Sequence, residues 1–278
     1  MISVVMTVFN VEKYIKKSID SILSQTYSDL ELIIVNDCTK DDSMKIVESF
    51  TDNRIRIINN SCNMGAGYSR KKGIEAALGD YIITIDSDDW IEPDFLQNLY
   101  NKSKNSDLTF GAMIFDFEDG QESVKFQTEF GTFSGMKKFD LMKEKKLIFL
   151  NTCLVKRHLY QKVKYDDKRY NEDTPTLAKL LFYANQITIV NEYGYHYIQQ
   201  DKSLCHKTDD FFKHLCLLLT SLDLMSFFKT KPDNYKTLVT LNDVFLHMSY
   251  LTDLNKIKKY QEDFNKAMLG FINIIERT

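Results

Sequence analysis

A chain of 278 residues with 44% hydrophobic content buries a full core, as one large domain or one domain with a helical appendage, which excludes a disordered chain. Its 36 basic and 39 acidic residues leave a formal charge of −3, so net charge draws it neither to nucleic acid nor to an anionic membrane surface. The five cysteines form no Cys-x-x-Cys pair, which excludes that kind of zinc or redox site and points to reduced thiols in a cytoplasm.

The opening run Met1 to Val8 has no basic leader and is followed closely by Asn10 and Glu12, so it predicts a buried first strand over Ser3–Val8 rather than a signal sequence. Ile15, Ile19, Ile22 and Leu23 then recur at helical spacing. Further strands are predicted at Leu30–Asn36, Arg54–Ile58 and Tyr81–Asp86, and Asp41-Asp42-Ser43 offers caps for a helix through Ile46, Val47 and Phe50. The pattern is a βαβ succession, an α/β domain built on a mainly parallel sheet flanked by helices.

From Asp107 to Gln127, two alternating segments flank Phe117-Glu118-Asp119-Gly120, a hairpin signal that extends the sheet. A helix is predicted over Leu177–Tyr183 and a strand over Ile187–Val190. After Asp209 the pattern is helical to the end, broken at Pro232-Asp233-Asn234, which divides the chain into residues 1–208 and a helical extension, 209–278. The most apolar stretch, Phe211 to Phe228, carries Lys213, His214 and Asp223. No transmembrane segment is therefore expected.

Ligands of open parallel sheets bind beyond the carboxyl ends of the strands. The residues there are Thr7, Phe9 and Asn10; Asn36-Asp37; Asn63-Met64-Gly65; and Asp86-Ser87-Asp88-Asp89. Carboxylates hold a diphosphate through a bridging hard cation, Mn2+ or Mg2+. In extended chain Asp86 and Asp88 share a face, so one can reach a metal while the other accepts from a ribose hydroxyl. The alternative is a turn or a helix cap, because Asp89 precedes Trp90-Ile91-Glu92-Pro93.

Thr7-Val8-Phe9-Asn10, Val35-Asn36-Asp37-Cys38-Thr39-Lys40-Asp41, Asn63-Met64-Gly65, Ser69-Arg70-Lys71-Lys72-Gly73 and Gly79-Asp80-Tyr81 leading into Asp86-Ser87-Asp88-Asp89 occur in unbroken order over roughly the first hundred residues. Together they resemble the family-2 glycosyltransferases of the GT-A fold. The resemblance implies that Thr7 and Phe9 pack against the base, Asp37 accepts from the base edge, and Asn63 and Arg70 belong to the nucleotide site. It further implies that Asp86 lies by the ribose and Asp88 ligates the metal. The chain departs from the family pattern at Asn36-Asp37-Cys38, where two acids and a glycine are common, and at Lys71, where asparagine is. Structural alternatives stand beside these roles. Asp37 can cap a turn, Arg70 can pair with Glu75, and Asn63 and Gly65 can serve as turn residues.

Deprotonating an acceptor hydroxyl needs a general base. Tyr170-Asn171-Glu172-Asp173-Thr174-Pro175 resembles the family's acidic pair before a helix, with Asp173 as base and Glu172 orienting the acceptor; a helix cap is the competing reading. Tyr195 to His206 resembles the aromatic segment that closes over the diphosphate, with Ser203 at the family's serine and His206 or His196 as a further metal ligand. The arginines usual there are absent, and Ile198 and Gln200 stand nearest their places.

The resemblance implies an inverting transfer of a sugar from a nucleoside-diphosphate donor, UDP-linked by family expectation, to a glycan, lipid-linked or protein acceptor in the cytoplasm. A nucleotidyltransferase would need a glycine-rich phosphate loop after the first strand, and a dinucleotide dehydrogenase a Gly-x-Gly-x-x-Gly turn. Neither is present. A binding module without catalysis is the remaining alternative. In the tail, Phe211, Phe212, Leu215, Leu218, Leu219 and Leu222, then Phe245, Met248, Leu251, Ile257 and Tyr260, read first as core stripes. They read second as a homodimer surface or, with Phe227-Phe228-Lys229-Thr230-Lys231, as a peripheral membrane-docking face.

Overall fold

The computed structural model describes residues 1–118, 121–144, 149–163, 172–199 and 210–236, with residues 251, 254–259, 261–262, 264–265 and 267–269 of the tail. The chain begins β1 (Ile2–Val8), α1 (Ile15–Leu23), β2 (Leu30–Asn36), α2 (Ser43–Glu48), β3 (Ile55–Asn59), α3 (Ala66–Ala76) and β4 (Tyr81–Thr84). It continues β5 (Trp90–Ile91), α4 (Phe95–Ser103), β6 (Leu108–Phe117), β7 (Val124–Lys125), β8 (Gly131–Ser134), α5 (Lys137–Lys143), β9 (Cys153–Lys156), α6 (Arg157–Tyr160), α7 (Asp173–Tyr183), β10 (Gln186–Gln199) and α8 (Asp210–Lys229).

Among the described residues one sheet runs β3-β2-β1-β4-β9-β6-β10-β5, with β7 on β6 and β8 on β10. β3, β2, β1 and β4 are parallel, as the βαβ pattern predicts, while β9 enters antiparallel between β4 and β6. Strand alternation sorts the apolar residues onto two faces. Val5, Ile33, Val35 and Ile82 pack with α3 and α7, and Val4, Met6, Leu32, Ile34 and Ile83 pack with α1 and α4.

Two local features differ from the sequence pattern. β4 ends at Thr84, and Asp86 to Asp89 forms a turn closed by the Asp89 N–H on the Asp86 carbonyl at 3.1 Å. Asp86 and Asp88 therefore do not lie on one face of an extended strand. Ile187–Val190 belongs to a 14-residue strand, β10, that pairs in parallel with β6 and shifts register between Ile189 and Tyr195. The hairpin strands pair as expected, Ile114 with Lys125 and Phe115 with Val124, while Asp119 and Gly120 lie outside the described residues.

Helix α8 is long and apolar enough to cross a membrane by length and composition, as a buried core helix also can be, and over half of its apolar window is buried in protein. Leu224 and Phe228 join the main core, whereas Phe211, Leu215, Leu218 and Leu222 form a separate cluster with Leu251 and Ala267. Phe227 and Phe228 pack on Phe182, so these two aromatics are spent within the fold.

Candidate active site

Helix α3 is drawn unusually close to the sheet. A Cβ built on Gly73 would stand 2.4 Å from Val5 Cγ1, so only glycine lets α3 settle on β1. One turn earlier on that helix is Arg70, buried at the carboxyl edge of the sheet.

The Arg70 guanidinium gathers three acids from two distant parts of the chain. Nη2 donates to Asp86 Oδ1 at 2.7 Å, and Nη1 donates to Glu172 Oε1 and to Asp173 Oδ1, the latter at 3.1 Å. Its partners are thus the acids of the β4 turn and of the α7 start rather than Glu75. Glu172 occupies the cap position of α7 without a side-chain capping bond, and Asp173 stands in the first turn. Glu172 is buried and Asp173 is 37% exposed. Burial, reinforced by the Asp173 carboxylate, pushes Glu172 up to about 7, with Arg70 pulling the other way.

At the ends of β1 and β2, Thr7 is half-buried and Phe9 is 42% exposed, a free aromatic face at the sheet edge. Asp37 is buried and accepts from Asn60 Nδ2 at 2.9 Å, Met64 N–H at 2.8 Å and Gly65 N–H at 2.9 Å. Its carboxylate shapes the loop that carries exposed Asn63 into α3. Cys38, at the position where glycine is common in the resembling family, has φ 59°, the left-handed conformation that favours glycine.

The turn sends its acids in different directions. Asp88 lines a cavity of about 300 Å³ together with Lys13, Lys17, Trp90, Asp116 and Glu118. Asp89 is buried and accepts from the Tyr195 hydroxyl at 2.6 Å and the Ile198 N–H at 3.0 Å. It does not cap α4, whose cap position is Asp94. Burial, with Asp88 and Asp86 adding, pushes Asp89 well above the usual carboxylate range.

His196 has a carboxylate within hydrogen-bond distance of each ring nitrogen. Its Nδ1 lies 2.9 Å from Asp116 Oδ2, its Nε2 lies 3.1 Å from Glu92 Oε1, and its ring stacks on Trp90 at 3.6 Å. Ser203 and His206 lie outside the described residues. Among the described residues no group of three or more His, Cys, Asp or Glu side chains is arranged to hold a metal ion.

Sequence reasoning missed two residues of this network: Tyr195, which it placed only within an aromatic segment, and Asn151. Asn151 Nδ2 donates to the Tyr195 hydroxyl at 3.0 Å and lies 3.4 Å from Asp86 Oδ2. The period-two aromatics Tyr193, Tyr195 and Tyr197 were a signal for the first; nothing local marks the second.

The site therefore joins strand-end acids to an acidic pair through one arginine. The family model described as "Glycosyl transferase family 2" matches residues 3–163, more than half of the chain. The chain belongs to that family. GlyG, a glycosyltransferase of Streptococcus pneumoniae serotype 4, is 28% identical over 221 residues, 73% of this chain and 72% of GlyG. GgaB of Bacillus subtilis, a minor teichoic acid biosynthesis protein, is 26% identical over 282 aligned residues, which covers 96% of this chain but 30% of GgaB. Among solved structures, TarS 1–349 of S. aureus in complex with UDP-GlcNAc superposes with a TM-score of 0.72 at 18% identity, covering 97% of this chain and 81% of that one. This last likeness is one of fold.

Proposed function

We propose that this family-2 glycosyltransferase moves a sugar from a UDP-linked donor to a hydroxyl of a surface-glycan or glycoconjugate acceptor, with inversion at the anomeric carbon. The observation that carries the reading is the Arg70 fork, which ties Asp86 at the donor edge to Glu172 and Asp173. The TarS complex with UDP-GlcNAc and the teichoic acid role of GgaB support the donor and acceptor classes.

Under this reading Thr7, Phe9, Asp37 and Asn63 form the nucleotide end of the site, with Phe9 as an apolar wall and Asp37 holding the loop to α3 in shape. Asp86 accepts from the ribose. Asp173, the more exposed acid of the pair, accepts the proton of the attacking hydroxyl. Arg70 fixes its direction, and Glu172 takes up the rest of the guanidinium. A single displacement inverts the anomeric centre. Asp88 is a hard oxygen donor suited to Mn2+ or Mg2+, with Ser203 and His206 assigned to the same end by resemblance. One protein carboxylate fits a cation whose remaining ligands are diphosphate oxygens and water, and such a cation would neutralise the leaving diphosphate. Such donors are cytoplasmic metabolites, so the reading places the site on the cytoplasmic side of a membrane that presents the acceptor.

The test is a thermal-shift series of nucleoside diphosphates with and without manganese. A ligand at 100 times its Kd adds about 2.7 kcal/mol, so a shift with UDP and manganese exceeding that with ADP or GDP supports the reading. Equal or absent shifts for all nucleotides overturn it. Asp173→Asn should keep the UDP shift and lose transfer; full transfer by this variant removes Asp173 as the base.

A further inference from the structure

We infer that the buried hydroxyl of Tyr195 is a positioning group for the metal-side turn, setting the geometry of the segment that carries Asp88. The inference rests on the donor-site reading above and adds to it a residue buried behind the turn.

Tyr195 is fully buried on β10, its ring packed edge-on against Phe95 at 6.3 Å. Its oxygen accepts from the Asp86 N–H at 3.3 Å and from Asn151 Nδ2 at 3.0 Å, and its proton goes to Asp89 Oδ2 at 2.6 Å. A phenol oxygen has one proton to give and two lone pairs, so all its hydrogen-bonding capacity is used. The partners sit at the first and last positions of the Asp86–Asp89 turn. Asn151, the third partner, also reaches Asp86 Oδ2 at 3.4 Å. One oxygen thus pins both ends of the turn and buttresses the Asp86 carboxylate. Ser87 and Asp88 form the corner between these two pins, so the direction of the Asp88 carboxylate follows from where they are held. The Ile198 N–H on Asp89 Oδ1 fixes the same carboxylate to β10 from its other oxygen.

The Tyr195 hydroxyl is one of several in the core, those of Ser103 and Thr109 among them. Here it stands at the one place where β4 leaves the sheet, and its loss would take the acceptor from the Asp86 N–H and one partner each from Asn151 and Asp89.

The experiment is calorimetric titration of UDP with and without manganese chloride, on the full chain, for wild type, Tyr195→Phe and Asn151→Ala. Wild type should bind UDP more tightly with manganese. Tyr195→Phe keeps the ring and should lose at least fivefold of that manganese-dependent tightening, a larger factor than its fall in metal-free UDP affinity, which reads the Asp86 end of the turn. Tyr27→Phe, which removes a hydroxyl from a buried ring packed on Tyr100 at the amino-terminal side of β2, should keep the full tightening. Undiminished tightening in Tyr195→Phe, whatever its thermal stability, overturns the inference. If Tyr195→Phe does not fold, Asn151→Ala decides the matter by the same measurement, with a loss of at least twofold expected and no loss overturning it. Absence of manganese-dependent UDP binding in wild type instead overturns the donor-site reading, and the positioning role with it.

Discussion

Arg70 Nη1 lies 3.1 Å from Asp173 Oδ1, although 103 residues separate them in the chain. The same guanidinium holds Asp86 and Glu172, so a single side chain sets the distance between the donor edge and the proposed base. Removing it leaves buried Glu172 without its cation, the kind of change that costs about 3–5 kcal/mol. Arg70→Met should therefore lower unfolding free energy by about that amount in urea titration and abolish transfer. Arg70→Lys keeps the charge but lacks the planar fork, so it should recover part of the stability and little of the activity.

The raised Glu172 carboxyl gives a pH dependence of unusual sign. Its folded value of about 7 lies above the reference of 4.5, so between those limits the native state holds more protons than the unfolded chain. Stability through this group is fully present below pH 4.5 and is lost as pH rises through 7, by about 3 kcal/mol at most. Glu172→Gln still offers an amide oxygen to Arg70 and cannot titrate. Urea titrations at pH 5 and pH 8 should show the wild type losing more stability between them than the variant. Equal losses would show that Glu172 is ionised throughout.

Much of this site was legible because its parts stand at the ends of apolar, β-branched runs: Thr7, Phe9, Asp37 and Asp86 all close or follow runs whose succession with helical-period segments predicts the sheet. Arg70, Asp173 and Glu172 were legible as residues but not as partners, since the pairing depends on how closely α3 approaches β1. Asn151 and Tyr195 left no local trace of their shared role. They are 44 residues apart, and only the antiparallel insertion of β9 and the bulged register of β10 bring them under Asp86. The turn at Asp86 was hidden for a related reason. Ile85 continues the apolar pattern of β4, yet the ladder with β1 stops at Thr84.

Cys38 has φ 59°, a conformation costing a non-glycine residue about 1–2 kcal/mol. Cys38→Gly relieves that strain and adds backbone freedom to the unfolded chain worth roughly 0.5–1 kcal/mol, so a net gain on the order of 0.5 kcal/mol is expected. Cys38→Val, which places a β-branched side chain in the same backbone region, should instead destabilise. Differential scanning calorimetry of the two variants gives both signs, and a Tm for Cys38→Val at or above wild type would contradict the strain argument.

The seat of α3 supplies the last test. A methyl at Gly73 meets Val5 Cγ1 at 2.4 Å and Val35 Cγ2 at 3.1 Å, both on strands buried beneath the helix. Neither strand can retreat, so Gly73→Ala must lift α3, and overpacking of this kind costs about 1–3 kcal/mol. Lifting the helix also moves Arg70, one turn away, off its three acids, so transfer should fall further than stability alone explains. Val5→Ala removes the methyl that collides and on its own leaves a cavity. The double variant refills that space from the helix side. Its destabilisation should be smaller than the sum of the two single effects by at least about 1 kcal/mol, the coupling seen for residues in direct contact. Transfer in the double variant should recover in the same direction. Additive losses would mean that α3 reaches Arg70's position without resting on Val5.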